Sequence, residues 1–292
     1  MDENWKVYIN GDLVAIKDAT ISVFDRGIQY GDGVFEGLRC YDGKIFKLEE
    51  HVQRFFRSAR AIHIEMPIAH AEMKQAIKDT VRANGFTNAH IKPIVTRGYA
   101  WNLGLDPRNT TAPNIIIIAR PIAESMYGEA HSGLRLAVVS VRKIPPCCFD
   151  PRVKSLNYLV NILARAEAQA SGADEAIMLD IQGYISEGSA DNIFLARHGA
   201  LWTPPVHSAL EGITRETVIE LAKEASIPVH EAPLSLYDVY TADEVFVTGS
   251  GAGIVPVIEV DKKPVGAGKP GRITNRLIAL YAEAVKKGEP AT

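Results

Sequence analysis

Cysteine is scarce: three in 292 residues, two of them the adjacent Cys147 and Cys148, a pattern that supplies neither a disulfide framework nor a metal motif. No apolar run approaches the roughly 20 residues needed to cross a bilayer; the longest, Ile115 to Ala119, is strand-sized. Net charge is also small. With 32 basic against 35 acidic residues, the formal balance of −3 gives nucleic acid or an anionic membrane nothing to bind. The histidines lack H-E-x-x-H or comparable ligand spacing, so no metal is expected. Gly249-Ser250-Gly251-Ala252-Gly253 is glycine-rich, yet it lacks the lysine of a P-loop and the spacing of a dinucleotide fingerprint. Met1-Asp2-Glu3-Asn4 is acidic and polar, unlike a secretory leader. The expected home is a reducing cytoplasm.

What is present is an ordinary globular balance, 47% hydrophobic and 23% charged, in a chain long enough for one large or two ordinary domains. Val7-Tyr8-Ile9 and Leu13-Val14 flank Asn10-Gly11, and Leu38 to Tyr41 and Lys44 to Phe46 flank Asp42-Gly43; both pairs predict type I′ hairpins. Val52, Phe55, Phe56, Ala59 and Ile62 recur at helical spacing, and a second helix is expected from about Ala69 to Asn84. Strands are expected at Ile91 to Thr96 and Asn114 to Ala119. After a Pro- and Gly-containing break, a strand spans Leu134 to Val141 and an alanine-rich helix Leu156 to Ala170. Short strands around Ala176, Asn192 and Leu201 follow, then helices near Thr214 to Ala225 and Arg272 to Val285 with the strand Glu244 to Thr248 between them. These elements predict an α+β protein of two domains: a smaller N-terminal α/β domain over 1–120, a linker over 121–132, and a larger C-terminal cofactor-binding domain over 133–292. A cleft between two such domains is where a cofactor is expected.

Two segments carry the chemistry. Pro151-Arg152-Val153-Lys154-Ser155-Leu156-Asn157-Tyr158 places a lysine between a bend and a helix, where an ordinary solvated lysine is the usual occupant. Gly183-Tyr184-Ile185-Ser186-Glu187-Gly188-Ser189-Ala190-Asp191-Asn192 carries a glutamate in a turn. In this order and separation the two resemble the fold-type IV aminotransferases, which include branched-chain and D-amino acid aminotransferases, aminodeoxychorismate lyases and some amine transaminases. The resemblance runs nearly end to end. It takes in Tyr30-Gly31-Asp32-Gly33-Val34-Phe35-Glu36-Gly37-Leu38-Arg39, an H-x-x-R-x-x-x-S-A helix at His51 to Ala59, the Gly212-Ile213-Thr214-Arg215 turn, and the strand Ala242 to Ser250.

The resemblance implies a pyridoxal 5'-phosphate enzyme of the two-domain fold-type IV architecture. Lys154 is then the Schiff-base and proton-shuttling lysine. Glu187 holds the pyridine nitrogen protonated. Tyr158, taken as one helical turn past Lys154, hydrogen-bonds the cofactor's phenolic oxygen. Arg54, Ile213, Thr214 and Ser250 hold the phosphate, the turn at Ile213-Thr214 offering backbone N–H groups at a helix start. Tyr30, Phe35, Gly37, Arg39, His90, Lys92, Arg97 and Gly251 meet the substrate.

The strand Tyr30 to Arg39 and the run Asn102-Leu103-Gly104-Leu105-Asp106-Pro107 resemble the branched-chain type, whose loop reaches into a partner's site. The implied activity is ping-pong transfer of an amino group from an L-branched-chain amino acid to 2-oxoglutarate by a homodimer or dimer-based oligomer. Departures are visible. His90-Ile91-Lys92 stands where branched-chain enzymes usually have Tyr-x-Arg, offering a titratable ring and a point charge in place of a planar fork. The stretch Ile122 to Tyr127 lacks the tryptophan many relatives carry. D-amino acid or (R)-amine transamination therefore stays open as an alternative, with aminodeoxychorismate lyase behind it.

Overall fold

A computed structural model describes residues 4–122 and 133–291. The chain divides into two units, one of Met1–Ala123, Val153–Asn157 and Val285–Thr292, the other of Glu124–Arg152 and Tyr158–Ala284. Two short segments expected in the C-terminal block thus pack with the first unit, including the one that carries Lys154. Of the expected linker, Pro121 ends a strand and Ile122 follows it; the remainder lies outside the described residues.

In the first unit, β1 (Lys6–Ile9) and β2 (Asp12–Ala15) close over Asn10-Gly11 with φ of 51° and 112°, the positive values a type I′ turn demands. A one-turn helix, α1 (Arg26–Tyr30), follows and is stopped by Gly31 at φ 65°. The strand expected from Tyr30 onward therefore begins only with β3 (Gly33–Phe35) and continues as β4 (Leu38–Tyr41). After it come β5 (Lys44–Ile45), α2 (Leu48–Ala61), α3 (His70–Ala83), β6 (Ala89–Thr96) and β7 (Asn114–Pro121). The sheet is antiparallel and runs β5-β4-β6-β7-β1-β2, with β3 also on β6 and the C-terminal pair Glu289–Pro290 on β5.

Period-two alternation decides what this sheet presents. Val34, Glu36, Leu38 and Cys40 are buried, whereas Phe35, Gly37, Arg39 and Tyr41 are only partly so. On β6, Ala89, Ile91 and Pro93 are buried and His90 and Lys92 exposed. Because Arg39 stands opposite His90, the partly covered residues of the first strand and the exposed ones of β6 share one face. The other face packs on α2 and α3 through Leu48, Val52, Phe55, Ala59, Met73, Ile77 and Val81.

The second unit comprises β8 (Leu134–Arg142), α4 (Leu159–Ala170), β9 (Glu175–Leu179), β10 (Ile185–Glu187), β11 (Asn192–Arg197), β12 (Ala200–Thr203), α5 (Ile213–Glu224), β13 (Val229–Glu231), α6 (Leu236–Tyr240), β14 (Glu244–Gly249), β15 (Gly253–Val260), β16 (Lys263–Pro264) and α7 (Arg272–Ala284). Its mixed sheet runs β10-β9-β8-β15-β14-β11-β12-β13, with β16 on β15. Every residue of β9 is buried, as are nearly all of β11 and most of β14, the mark of a sheet covered on both faces. Strand β15 has no counterpart among the expected elements. Pro256 within it argues against an interior strand, yet it stands opposite Phe246 there.

The centre of this sheet rests on Phe194 of β11 and Phe246 of β14, both fully buried and stacked with centroids 5.0 Å apart. Phe246→Ala should cost about 3–5 kcal/mol, the transfer loss plus an unfilled cavity. Urea denaturation of the two proteins measures it; a midpoint indistinguishable from the parent would mean that the stack collapses at no cost.

Candidate active site

Helix α2 places His51, Arg54 and Ser58 on one face, at the i, i+3 and i+7 spacing of neighbouring turns. Two of them meet Glu36, which the alternation of β3 and β4 turns inward. Arg54 donates through Nε to Oε1 (2.6 Å) and through Nη2 to Oε2 (2.8 Å), a bidentate pair, and His51 Nδ1 lies 2.8 Å from Oε2. All three residues are buried. Burial alone would raise the Glu36 carboxyl, but Arg54 and His51 outweigh it and hold the group well below the carboxylate range. Burial pushes the imidazole of His51 down, so a neutral ring donates from Nδ1 to the carboxylate.

Ser58, the third residue of that face, accepts a hydrogen bond from the backbone N–H of Lys154 (3.2 Å). The Lys154 carbonyl accepts from Phe35 N–H (2.9 Å), and Leu156 N–H donates to the Gly33 carbonyl (2.9 Å). Residues 153–157 are therefore an extended segment laid along β3. This corrects the expectation for Tyr158: the helix begins only at Leu159, with Tyr158 as its N-cap, so no helical turn aligns Tyr158 with Lys154. Two ammonium groups approach the Phe35 ring, Lys154 Nζ at 4.5 Å and Lys92 Nζ at 4.7 Å from its centroid. Partial withdrawal from water, then the charge of Lys154, lowers Lys92. The same withdrawal, followed by the charges of Arg39, Lys92 and Lys154, pushes His90 down to about 4, although the residue as a whole is exposed. A Cβ at Gly37 would stand 3.4 Å from His90 Nε2, at contact distance.

In the second unit, Glu187 ends β10, buried at 5% exposure. Its Oε2 accepts from the backbone N–H of Leu210 (2.9 Å) and faces Asn192 Nδ2 (3.5 Å), while its Oε1 forms an ion pair with the ammonium of Lys143. Asn192 also donates to the Leu210 carbonyl (3.0 Å). These contacts fasten the loop that leads into α5, whose N-cap, Gly212, provides no side-chain cap. A Cβ at Gly212 would collide with Asn192 Oδ1, so the approach requires glycine. Thr248 of β14 stands opposite Asn192, and its buried Oγ1 has no hydrogen-bond partner among the described residues. Ser250 and Gly251 follow immediately in the turn before β15.

The expected residues thus fall into two groups. Arg54, Lys154, Phe35, Gly37, Arg39, His90 and Lys92 belong to the first unit; Tyr158, Glu187, Ile213, Thr214, Ser250 and Gly251 belong to the second. Two others of the first unit are engaged elsewhere. Tyr30 Oη donates to the Leu103 carbonyl (2.6 Å). Arg97 is committed through Nε to Asp32 (2.8 Å) and through its terminal nitrogens to the carbonyls of Ile62 and His63, which ties the end of α2 to the sheet. Sequence reasoning passed over Glu36, His51, Ser58, Lys143 and Asn192. Glu36 carried a signal, since alternation sets it opposite Phe35 and Gly37. Lys143 carried none.

The first unit offers a primary amine and a buried guanidinium, and the second a buried carboxylate, an uncapped helix N-terminus and a buried hydroxyl with no partner among the described residues; by their chemistry these residues fit the aldehyde, the pyridine nitrogen and the phosphate of pyridoxal phosphate. The amino-transferase class IV family matches residues 33–260 of the chain. A provisionally named branched-chain-amino-acid aminotransferase of Methanocaldococcus jannaschii is 49% identical over 273 residues, 93% of either chain. The branched-chain amino acid aminotransferase of Escherichia coli has a similar structure, with a TM-score of 0.93 at 37% identity, over 98% of this chain and 96% of that one. That of Thermobaculum terrenum, solved in its PLP-bound holo form, gives 0.88 at 34% identity over 97% and 94%.

The Glu36 carboxyl is depressed from an unfolded value of about 4.3, so its stabilisation is complete above that pH and is lost as the pH falls through the lower folded value. Glu36→Gln leaves Arg54 buried without its counter-charge and should lower stability at neutral pH by roughly 3–5 kcal/mol. The variant should also lose the acid-limb dependence that Glu36 supplies. Denaturant curves at neutral and acid pH test both points, and equal stability at neutral pH would remove the pair from the account of the fold.

Proposed function

The chain belongs to the class IV amino-transferases, and from that premise we propose that it transfers the amino group of an L-branched-chain amino acid to 2-oxoglutarate with pyridoxal phosphate. The observation that carries this reading is the pairing of Lys154 and Lys92 over Phe35, on the strand face that also bears Gly37, Arg39 and His90. The face offers an aliphatic-sized apolar wall and a cluster of cations together.

When bound, pyridoxal phosphate supplies an aldehyde that condenses with amines and a ring that accepts the electron pair left by the departing α-proton. Lys154 Nζ would hold the cofactor through its aldehyde and, once freed by the substrate amine, would take up the α-proton and deliver it to C4′ rather than back to the α-carbon. Glu187 keeps the ring nitrogen protonated through a carboxylate that the Leu210 N–H and Lys143 already orient. Arg54, held in place by Glu36, and the α5 N-terminus at Ile213 and Thr214 receive the phosphate, with Ser250 as a further donor. Phe35 and Gly37 accept a branched aliphatic side chain, and Arg39, His90 and Lys92 bind the second carboxylate of glutamate or 2-oxoglutarate.

We further propose that the enzyme is a cytoplasmic homodimer. Leu159, Ile162 and Leu163 form one exposed stripe on α4, and Trp101, Leu103 and Leu105 stand exposed in the loop after β6, a surplus of apolar surface for a lone subunit.

Mixing the purified enzyme separately with L-leucine, a D-amino acid and an (R)-amine, and following the change in cofactor absorbance, tests the substrate. Conversion with L-leucine is expected; preference for the D-acid or the amine would overturn the substrate and keep the chemistry. Lys154→Ala should abolish multiple turnovers while leaving the fold intact by circular dichroism.

His90 makes a pH prediction. Neutral in the free enzyme, it gains a proton more readily beside a carboxylate, so 2-oxoglutarate should bind better as the pH falls toward the His90 range. KM for 4-methyl-2-oxopentanoate should show no such trend, and His90→Phe should abolish the difference. Parallel profiles for the two oxo acids in the parent enzyme would exclude His90 from the subsite.

A further inference from the structure

Lys143 leaves the end of β8 and lies against Glu187 at the end of β10, the two strands flanking β9. Its side chain is 11% exposed and that of Glu187 is 7% exposed. Glu187 therefore has a permanent cationic partner supplied by the chain itself, on the oxygen not used by the Leu210 N–H. The pair is largely withdrawn from water, so the charge of the ammonium acts with little screening on the carboxylate and on any second cation brought beside it.

Resting on the assignment of Glu187 to the cofactor's ring nitrogen, we propose that Lys143 is the positioning residue that fixes the Glu187 carboxylate and sets how tightly it retains the ring-nitrogen proton. Two effects follow from one ammonium. It orients the carboxylate before any cofactor arrives. It then competes with the protonated ring nitrogen for the same carboxylate, since the two cations repel and each weakens the other's attraction. The ring proton is held less tightly than an isolated glutamate would hold it.

The surroundings leave Glu187 as the dominant partner of Lys143. Tyr158 acts on Lys143 electrostatically at the start of α4. A cavity of about 500 Å³ borders Lys143 and is also lined by Cys147, Asp180, Tyr184 and His207. Burial pulls the ammonium down, but the Glu187 carboxylate outweighs it and the net displacement is upward. Lys143 thus stays charged through the neutral range, and Glu187 remains paired throughout it.

The test uses holoenzyme loaded with pyridoxal phosphate labelled with nitrogen-15 in the ring. Its chemical shift is followed with pH in the parent, Lys143→Met, Lys143→Arg and Glu187→Gln. Lys143→Met should hold the ring proton to higher pH, by about one unit, a tenfold tighter retention. Lys143→Arg should titrate like the parent, because it restores the charge. A Lys143→Met titration that coincides with the parent's would overturn the proposal. Glu187→Gln separates the underlying assignment: it must lower ring protonation, and an unchanged shift there would show that Glu187 is not the ring partner. If Lys143→Met does not take up cofactor, the cofactor-free protein decides. Infrared difference spectra, with the Glu187→Gln variants as blanks, should then show the Glu187 carboxylate taking up its proton at higher pH in Lys143→Met than in the parent, and coincident titrations would sink the idea.

Discussion

Glu36 sits on the core side of the strand that runs from β3 into β4, where an unpaired carboxylate would cost several kcal/mol. The fold meets this by docking α2 with one chosen face inward. His51 and Arg54 reach the carboxylate, and Ser58, a turn further along, takes the backbone N–H of Lys154. One pairing therefore fixes three things: the rotation of α2, the aim of the Arg54 guanidinium, and the place where the Lys154 segment lies along β3. Because the pair is bidentate, sliding α2 by a residue would break both hydrogen bonds at once.

The second unit uses the same economy with another carboxylate. Glu187 joins β10 to the loop at Leu210, and Asn192 ties that loop to the start of β11. The N-terminus of α5 is thereby set by the residue that faces the cofactor ring in the proposed mechanism. Gly212 closes the arrangement, since any side chain there would strike Asn192. In the proposed mechanism a few hydrogen bonds couple the phosphate and ring contacts, so a change at Asn192 would disturb both.

Much of this was legible in the sequence, for identifiable reasons. Both Asn10-Gly11 and Asp42-Gly43 hairpins carry their own turn chemistry, and α2, α3, α5 and α7 carry clear helical periodicity, so their ends fall within a few residues of expectation. The buried strands β9, β11 and β14 read as continuous apolar runs. What failed was the local geometry on either side of the lysine. A proline-bounded segment that lies extended along β3 does not differ in composition from the first turn of a helix, so the expected alignment of Tyr158 with Lys154 rests on a turn that does not exist. Strand β15 was obscured by Pro256 and by the glycines before it. Of the site, the residues within recognisable motifs could be named; Lys143 could not, because its partner lies two strands away in the sheet and no spacing in the chain records that.

The cations near Phe35 present the reverse of the Glu36 problem. Lys92 and Lys154 both rest against one aromatic ring, with Arg39 and His90 on neighbouring positions of the same face. Their mutual repulsion adds to burial in lowering Lys92 and His90. A carboxylate placed among them would relieve that repulsion, yet it would also compete with any acidic substrate. An aromatic ring attracts ammonium groups through its quadrupole without carrying a charge that must be displaced. It also presents an apolar wall to a branched aliphatic chain. In the proposed mechanism, Phe35 thus suits a face that takes an apolar side chain in one half of the transamination and a carboxylate in the other.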